Sequence, residues 1–478
     1  MTRPVTVSLF LCVNVALCSA LTQAGSWSQF RGPNATGRPD REAPLPDKAG
    51  PEDNLVWKAP LPTGHSSPAI SGDSIFVTGL RNAQLVTIGL DRRTGAIRWE
   101  AIAPHERLEE FHSVGNPAQS SPATDGSRVV SFFGSAGLYC YDMEGKPLWQ
   151  IAMGPFKNDF GAGSSPIIVD DRVLLCQDHD TDSFLMAVDK HSGEVLWKVD
   201  RSEFPRNYCT PIIWNVGGRK QVVVAATLRI VAYDFETGAE LWSVGGVARI
   251  INMTPVVGDD GLLYAACWSP GGDETDRITA DPFADVIAQL DANGNGALEK
   301  DEAPEGAVKQ RFTQIDRDKD GRITQTEYES MRRVFESARN GIVAIKPGGT
   351  GDITATRVAW RHNKLLPYCP SPLYLRGEIF MVKDGGIYSV TDAASGQTTR
   401  QGRLKATGGY FSSPVAGDGK VYTVSQRGEL TILDADNDWQ EIWNSELGEN
   451  AFATPAIADG RLYVRTSGHL FCFGKNEK

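Results

Sequence analysis

Two segments of the chain, DANGNGALEKDE (291–302) and DRDKDGRITQTE (316–327), place oxygen-bearing groups at matching intervals. Positions 1, 3, 5, 7, 9 and 12 of the first hold Asp291, Asn293, Asn295, Ala297, Glu299 and Glu302. The same positions of the second hold Asp316, Asp318, Asp320, Arg322, Thr324 and Glu327. Position 6 is Gly296 or Gly321, where a sharp turn needs left-handed backbone. Ala297 and Arg322 would contribute backbone carbonyls, and Glu302 and Glu327 would bind through both carboxylate oxygens. An all-oxygen cage of this kind suits a hard cation, so the chemistry indicated is Ca²⁺ coordination. The second loop has four side-chain carboxylates; the first replaces two of them with asparagine. The second is therefore expected to bind more tightly.

The surrounding residues must fold as short helices to hold these loops. DPFADVIAQL puts Phe283, Ile287 and Leu290 on one helical face ahead of the first loop, and TEYESMRRVFESA closes the second as a helix. Position 8 of each loop is aliphatic, Leu298 and Ile323, and the two can pair. Two intact loops 25 residues apart resemble an EF-hand pair. That resemblance implies two Ca²⁺ sites. Extracellular modules of this type work at roughly 0.1–1 mM, which favours a structural cation that orders the segment over a regulatory switch.

The rest of the chain reads as strands and turns, organised by a repeat. Eight copies begin with Ser or Thr (once Cys-Thr, twice Met-Thr or Ala-Thr) before a proline and a short apolar strand, as in SSPAISGDSIFV and ATPAIADGRLY. Their anchor prolines are Pro68, Pro122, Pro166, Pro211, Pro255, Pro372, Pro414 and Pro455. Steps are 41 to 54 residues, except the 117 from Pro255 to Pro372. The second half of each unit reads as in GLDRRTGAIRW: Asp and Gly form a turn, and a Trp follows four residues after the Gly. Trp99, Trp149, Trp197, Trp242, Trp360 and Trp443 take that place and are expected to wedge between neighbouring sheets; the sixth copy has Arg400 instead.

Units of this length with four strands each predict an all-β, eight-bladed propeller. The last copy stops after three strands. NLVWKAPL near the other end supplies the fourth, with Trp57 in the docking place, so both termini close the ring and remove an exposed edge. A β-solenoid, the rival architecture, would not need complementary broken ends. This pattern resembles the quinoprotein-type propeller repeats shared by pyrroloquinoline quinone (PQQ) dehydrogenases and the BamB-type outer-membrane assembly factor. The resemblance runs from about Trp27 onward. WSQFRGPNATG is similar to the lead-in of secreted members of this group. It implies the fold, but not an activity, because the group contains both enzymes and scaffolds.

The long step falls in blade five, whose strands MTPVV and GLLYAACW precede it and whose GIVAIK and TRVAWRH follow. The expected organisation is a signal peptide at 1–24, propeller at 25–268, the EF-hand insertion at 269–340 and propeller again at 341–478. An insertion between a blade's second and third strands belongs on the face carrying the channel mouth. Residues three before the anchor prolines, among them His65, Gln119, Tyr208, Asn252, Phe411 and Phe452, are expected to ring that mouth, as a ligand wall or as plain packing. QDHDTDS (Asp178, His179, Asp180, Asp182) reads as a solvated acidic loop or a further cation site, and His105, Glu106 and His112 lie in an unusually long link.

Composition bounds the function. A net charge of −11 argues against nucleic-acid partners, and 41% hydrophobic content supports a packed core. Arg3, an apolar run and small residues up to Ala20 or Ala24 read as a secretory signal, with an N-terminal anchor as the alternative; Cys18 follows Leu17, a poor lipoprotein site. No other stretch is long and apolar enough to span a bilayer. The six remaining cysteines are scattered, which reads as buried thiols or one or two disulfides and gives no support to a zinc site.

The expected function is that of a calcium-binding, periplasmic or extracellular scaffold or recognition module with protein or peptide partners, similar to BamB. The alternative is a PQQ-dependent oxidoreductase. The vicinal cysteine pair that many such enzymes carry is missing, and no blade shows a cluster that maps onto a quinone site. A carbohydrate-active enzyme would need an acid pair, and no interpretable one appears.

Overall fold

The computed structural model describes residues 25–475 apart from Arg107, Glu110, Asn158, Asp159, Thr181 and Lys319. The signal-peptide reading, with Cys12 and Cys18, lies outside the described residues. Eight antiparallel sheets stand around a central channel. In the first, Ala69–Ser71, Ser74–Arg81, Gln84–Asp91 and Ile97–Ala103 run from the channel outward. The middle strands are buried almost throughout, while the outermost alternates toward solvent. The ring closes as the broken copies require: Leu55–Pro60 pairs with His469–Gly474, placing Trp57 opposite Cys472.

The residue before each anchor proline shows why the repeat begins with a hydroxyl. The Ser67 N–H donates to Ser121 Oγ at 2.9 Å, Ser121 N–H to Ser165 Oγ at 3.0 Å, and Ser165 N–H to Thr210 Oγ1 at 3.1 Å. The series passes through Thr254, Ser371, Ser413 and Thr454 and returns to Ser67 Oγ at 2.9 Å. Eight buried donors are thus satisfied by the next blade, in a region where an unpaired amide would be costly. Proline holds the preceding residue in the extended conformation that aims each hydroxyl.

The outer strands are stitched by the tryptophans. Trp57 Nε1 donates to the Arg92 carbonyl at 3.2 Å, and its ring covers Gly95 in blade one. Trp99 over Gly145, Trp149 over Gly193 and Trp360 over Gly396 repeat the arrangement. Arg400 keeps the function without the ring: it donates to the Asp438 carbonyl of the next blade. Blade eight took its outer strand from the N-terminal side and has no matching turn, so Trp443 donates instead to Ala49 O at 3.0 Å. Trp242 differs: fully buried, it donates to Gln221 Oε1 at 2.8 Å and lies opposite Gly351, whose short parallel strand Gly351–Asp352 adds a fifth member to blade four.

WSQFRGPNATG, similar to a secreted lead-in, is a plug. Trp27 pairs with Ile70 of blade one, Ser28 O accepts from Thr124 of blade two, and Asn34 brackets Ile213 of blade four. Arg31 Nη2 donates to Pro372 O of blade six at 2.7 Å, and Gly37 O accepts from Ala416 of blade seven. These partners lie at or just after the anchor prolines, below the hydroxyl ring, so the segment closes the channel from the end opposite the mouth.

Candidate functional site: the channel mouth and the inserted lobe

Above the hydroxyl ring lies a cavity of about 190 Å³. All eight residues three before the anchor prolines line it: the six expected from the repeat, with Gly163 and Cys369. Phe30 of the plug, Phe160 and Tyr368 also line it. His65 stacks on Phe452 with ring centres 4.0 Å apart, Phe411 tilts against Phe452, and Tyr208 lies edge-on to Phe160. Gly163 is required here, because a Cβ would stand 2.7 Å from the Tyr208 ring. Burial and the Arg465 charge bring the His65 imidazole down to about 4, so the ring is neutral near pH 7. Burial pushes the Cys369 thiol up to about 12, so it is protonated and a poor nucleophile. No Asp, Glu, Lys or Arg among the described residues lines this cavity. Gly163 and Cys369 were legible by applying the same offset to every anchor proline; Phe30 and Phe160 had no such signal.

The segment between Cys267 and Gly341 leaves blade five from a single root. Asn340 Oδ1 accepts from Ser269 N at 2.9 Å, and its Nδ2 donates to Ser269 O at 3.0 Å. Helix Phe283–Leu290 turns the predicted Phe283 and Ile287 inward together with Val286, while Leu290, at the last position, is 37% exposed. Phe283 packs on Tyr328, and that contact sets which side of the short helix faces inward. Helix Gln325–Ser337 begins with a capping box formed by Thr324 and Glu327.

The two loops are paired through Leu298 and Ile323, as their position 8 requires. Their last glutamates tie each loop end to end. Glu302 accepts from Ala292 N at 2.9 Å and Glu299 N at 3.1 Å; Glu327 accepts from Arg317 N at 2.8 Å and Thr324 N at 2.9 Å. In the first loop Asp291 accepts from Gly294 and Gly296 N–H, and the amides of Asn293 and Asn295 donate to Glu299. In the second, carboxylate oxygens of Asp316, Asp318 and Asp320 lie within 4.8 Å of one another. Close like charges repel, and a divalent cation offsets that repulsion. These gathered side-chain groups are all oxygen donors.

The lobe stands on the mouth face, beside the cavity. Arg339 N donates to Val247 O at 3.0 Å, Arg249 Nε to Pro270 O at 3.0 Å, and Arg317 Nη2 to Ser202 O, joining it to the links around blade four. The same links carry Tyr208 and Asn252 into the cavity wall.

In QDHDTDS, Asp178, His179 and Asp180 are buried rather than solvated, while Asp182 is exposed. Asp178 is held at both oxygens by Arg201, at 2.9 and 2.8 Å, with both side chains buried. Asp180 pairs with Arg206. His179 is fully buried against Phe156, and burial lowers it to about 3. The arginines that pair with Asp178 and Asp180 lie more than 20 residues away, beyond the reach of a local reading. The His105 ring nitrogens lie 3.1 Å from the Ala103 and Ala83 carbonyls, to which the ring N–H donates, and so His105 anchors its long link. The six cysteines among the described residues are free thiols, five of them buried.

An eight-bladed propeller with paired helical loops on its mouth face is the class of protein these observations define. A model of the family described as outer membrane protein assembly factor BamB matches residues 84–267 and 383–474, more than half of the chain, and the chain belongs to that family. An EF-hand model matches residues 308–331. Among solved structures, BamB from Moraxella catarrhalis is 15% identical, with 89% of this chain and 98% of that one covered and a TM-score of 0.54. A quinohemoprotein alcohol dehydrogenase from Comamonas testosteroni is 13% identical, with 95% and 81% covered and a TM-score of 0.54. The computationally designed Ika8 protein is 11% identical, with 88% and 99% covered and a TM-score of 0.54. At these identities the likeness is one of fold. No curated protein matches the chain.

Proposed function

We propose that the chain is a calcium-binding propeller of the cell envelope that acts as a scaffold or recognition module for protein or peptide partners. The observation that carries this reading is the mouth cavity, built from one residue of every blade and walled by neutral aromatic, amide and hydroxyl groups. Such a wall binds uncharged segments by stacking and hydrogen bonding, and it presents neither an activated nucleophile nor a charged acid–base pair. The family's description, an outer-membrane assembly factor, supports an envelope setting and protein partners. So does the reading of residues 1–24 as a signal peptide. Among the described residues no helix is long and apolar enough to cross a membrane.

Residues 269–340 form the calcium lobe in this reading, with the positions of both loops named above as ligands. The convergent Asp316, Asp318 and Asp320 fit the cation by charge and by oxygen chemistry. PQQ, the cofactor of the rival oxidoreductase reading, is a tricarboxylate and is used with a metal-binding carboxylate beside it. The described cavity wall offers neither a cation for the former nor a carboxylate for the latter, so these residues do not fit the group.

Calorimetric titration of calcium-stripped protein with Ca²⁺, repeated on Glu302→Gln/Glu327→Gln and in the presence of PQQ, tests the proposal. Two sites lost in the double variant, with no quinone heat, are expected. No calcium heat, or calcium-dependent quinone uptake that survives the substitutions, would overturn it.

A further inference from the structure

Between the lobe and the mouth face lies a second cavity, of about 340 Å³. One wall belongs to helix Gln325–Ser337, where Glu327, Ser330, Met331 and Val334 follow the i, i+3, i+4, i+7 spacing of one helical face. Arg206, Arg249 and Ile250 stand opposite, on the links either side of blade four, and Arg317 of the second calcium loop completes the rim.

Three carboxylates and three guanidiniums line this cleft, but they are not paired with one another throughout. Asp180 is taken by Arg206, and Glu203 by Arg229 at 2.8 Å. Glu327 is turned into its own loop, accepting from Arg317 N and Thr324 N. Arg249 and Arg317 each donate to a backbone carbonyl, Pro270 O and Ser202 O, and among the described residues neither is paired with a carboxylate. Burial, with the neighbouring charges of Arg311 and Arg206, lowers Arg249 to about 10 and outweighs the opposing influence of Tyr368 and Asp276. Two guanidiniums beside Met331, Val334 and Ile250 make a site for a carboxylate carried on an apolar body.

We propose that this cleft binds an organic carboxylate with an apolar body, and that Ca²⁺ in the second loop strengthens the binding. The coupling rests on the calcium reading above. Glu327 belongs to both sites: it lines the cleft and closes the loop at position 12. A cation held by Glu327 offsets the one negative charge in the cleft that no arginine neutralises. Linkage is reciprocal, so the carboxylate raises the calcium affinity of the second loop by the same factor.

The probe is N-acetyl-leucine, titrated into the full chain in millimolar Ca²⁺ and again in chelator, beside N-acetyl-leucinamide and hexanoate. N-acetyl-leucine is expected to bind at least about tenfold more tightly than the neutral amide, a difference near 1.4 kcal/mol. Arg249→Gln and Arg317→Gln should each weaken it about tenfold or more; Arg317 lies in a surface loop, so its variant stands even if Arg249→Gln fails to fold. Glu327→Gln removes that negative charge, so it should tighten carboxylate binding in chelator toward the value in Ca²⁺ and abolish the calcium dependence. Equal binding of hexanoate assigns the site to alkyl carboxylates in general; preference for N-acetyl-leucine assigns it to peptide C-termini. No carboxylate heat at about 10 mM, equal affinity for the amide, or binding unchanged in a folded Arg317→Gln protein would overturn the site. Carboxylate binding identical with and without calcium, in a protein shown to bind calcium, would overturn the coupling. Failure of the calcium titration alone sinks the calcium reading and leaves the chelator arm to judge the cleft.

Discussion

The backbone N–H of Thr454 donates to the hydroxyl of Ser67 at 2.9 Å across 387 residues of sequence. It is the last of eight equivalent bonds, and it joins the eighth blade to the first. Closure of the ring therefore uses two seals at different radii: this buried hydroxyl near the channel, and the pairing of Leu55–Pro60 with His469–Gly474 farther out.

Ser67→Ala leaves the Thr454 N–H buried without its acceptor. A loss of about 1–3 kcal/mol is expected. Ser67→Thr keeps the hydroxyl and should cost much less. Urea denaturation followed by tryptophan fluorescence distinguishes the two, and equal losses would show that the hydroxyl is not what matters.

Gly95 carries the outer seal. Its φ is +75°, and a Cβ there would stand 2.6 Å from the Trp57 ring. Gly95→Ala combines a left-handed backbone with overpacking, and roughly 2–4 kcal/mol of destabilisation is expected. Gly261, also at positive φ but with nothing within 4 Å, isolates the backbone contribution. The thermal midpoint of Gly261→Ala should fall clearly less than that of Gly95→Ala.

Arg201 and Asp178 form a buried pair in which each charge depends on the other. Arg201→Met alone should cost about 3–5 kcal/mol, because Asp178 is left uncompensated. Replacing both, as Arg201→Met/Asp178→Leu, should recover a large part of that loss. A double-mutant cycle by chemical denaturation reads the coupling, and additive losses would contradict it.

The propeller was legible because each blade repeats the same local physics. A hydroxyl before proline, an Asp–Gly turn and a tryptophan are each visible within one unit, and the broken ends of Leu55–Pro60 and His469–Gly474 announce their pairing. The paired acidic loops were legible for the same reason: each falls within twelve consecutive residues, with its pairing position, Leu298 or Ile323, at a fixed place. What escaped the reading depends on residues far apart. Asp178 is neutral in effect only because Arg201 folds onto it, and Arg31 enters the channel only because blade six offers the Pro372 carbonyl. Leu290 fits a helical face by spacing, yet an eight-residue helix is oriented by its packing partner rather than by its own period.

Stability should decline in mild acid. His65 is held at about 4 in the folded chain against 6.5 unfolded, and His179 at about 3. The unfolded chain thus binds more protons between these values, so stability is constant above about pH 6.5 and falls as pH is lowered toward 4. Each histidine contributes at most about 1.4 kcal/mol per pH unit in that window, less for the half-buried His65 ring, which solvent partly screens. His65→Phe should make the decline shallower between pH 6.5 and 4. A parallel slope in that variant would contradict the depressed value.

Hydrogen–deuterium exchange with and without Ca²⁺ tests the central claim most directly. Calcium is predicted to slow exchange across residues 283–337, most strongly in the second loop and the start of helix Gln325–Ser337, while the blade strands stay unchanged. Glu302→Gln/Glu327→Gln should abolish the difference. Exchange in residues 283–337 that is identical with and without calcium would contradict the account of a calcium-ordered lobe on the mouth of the propeller.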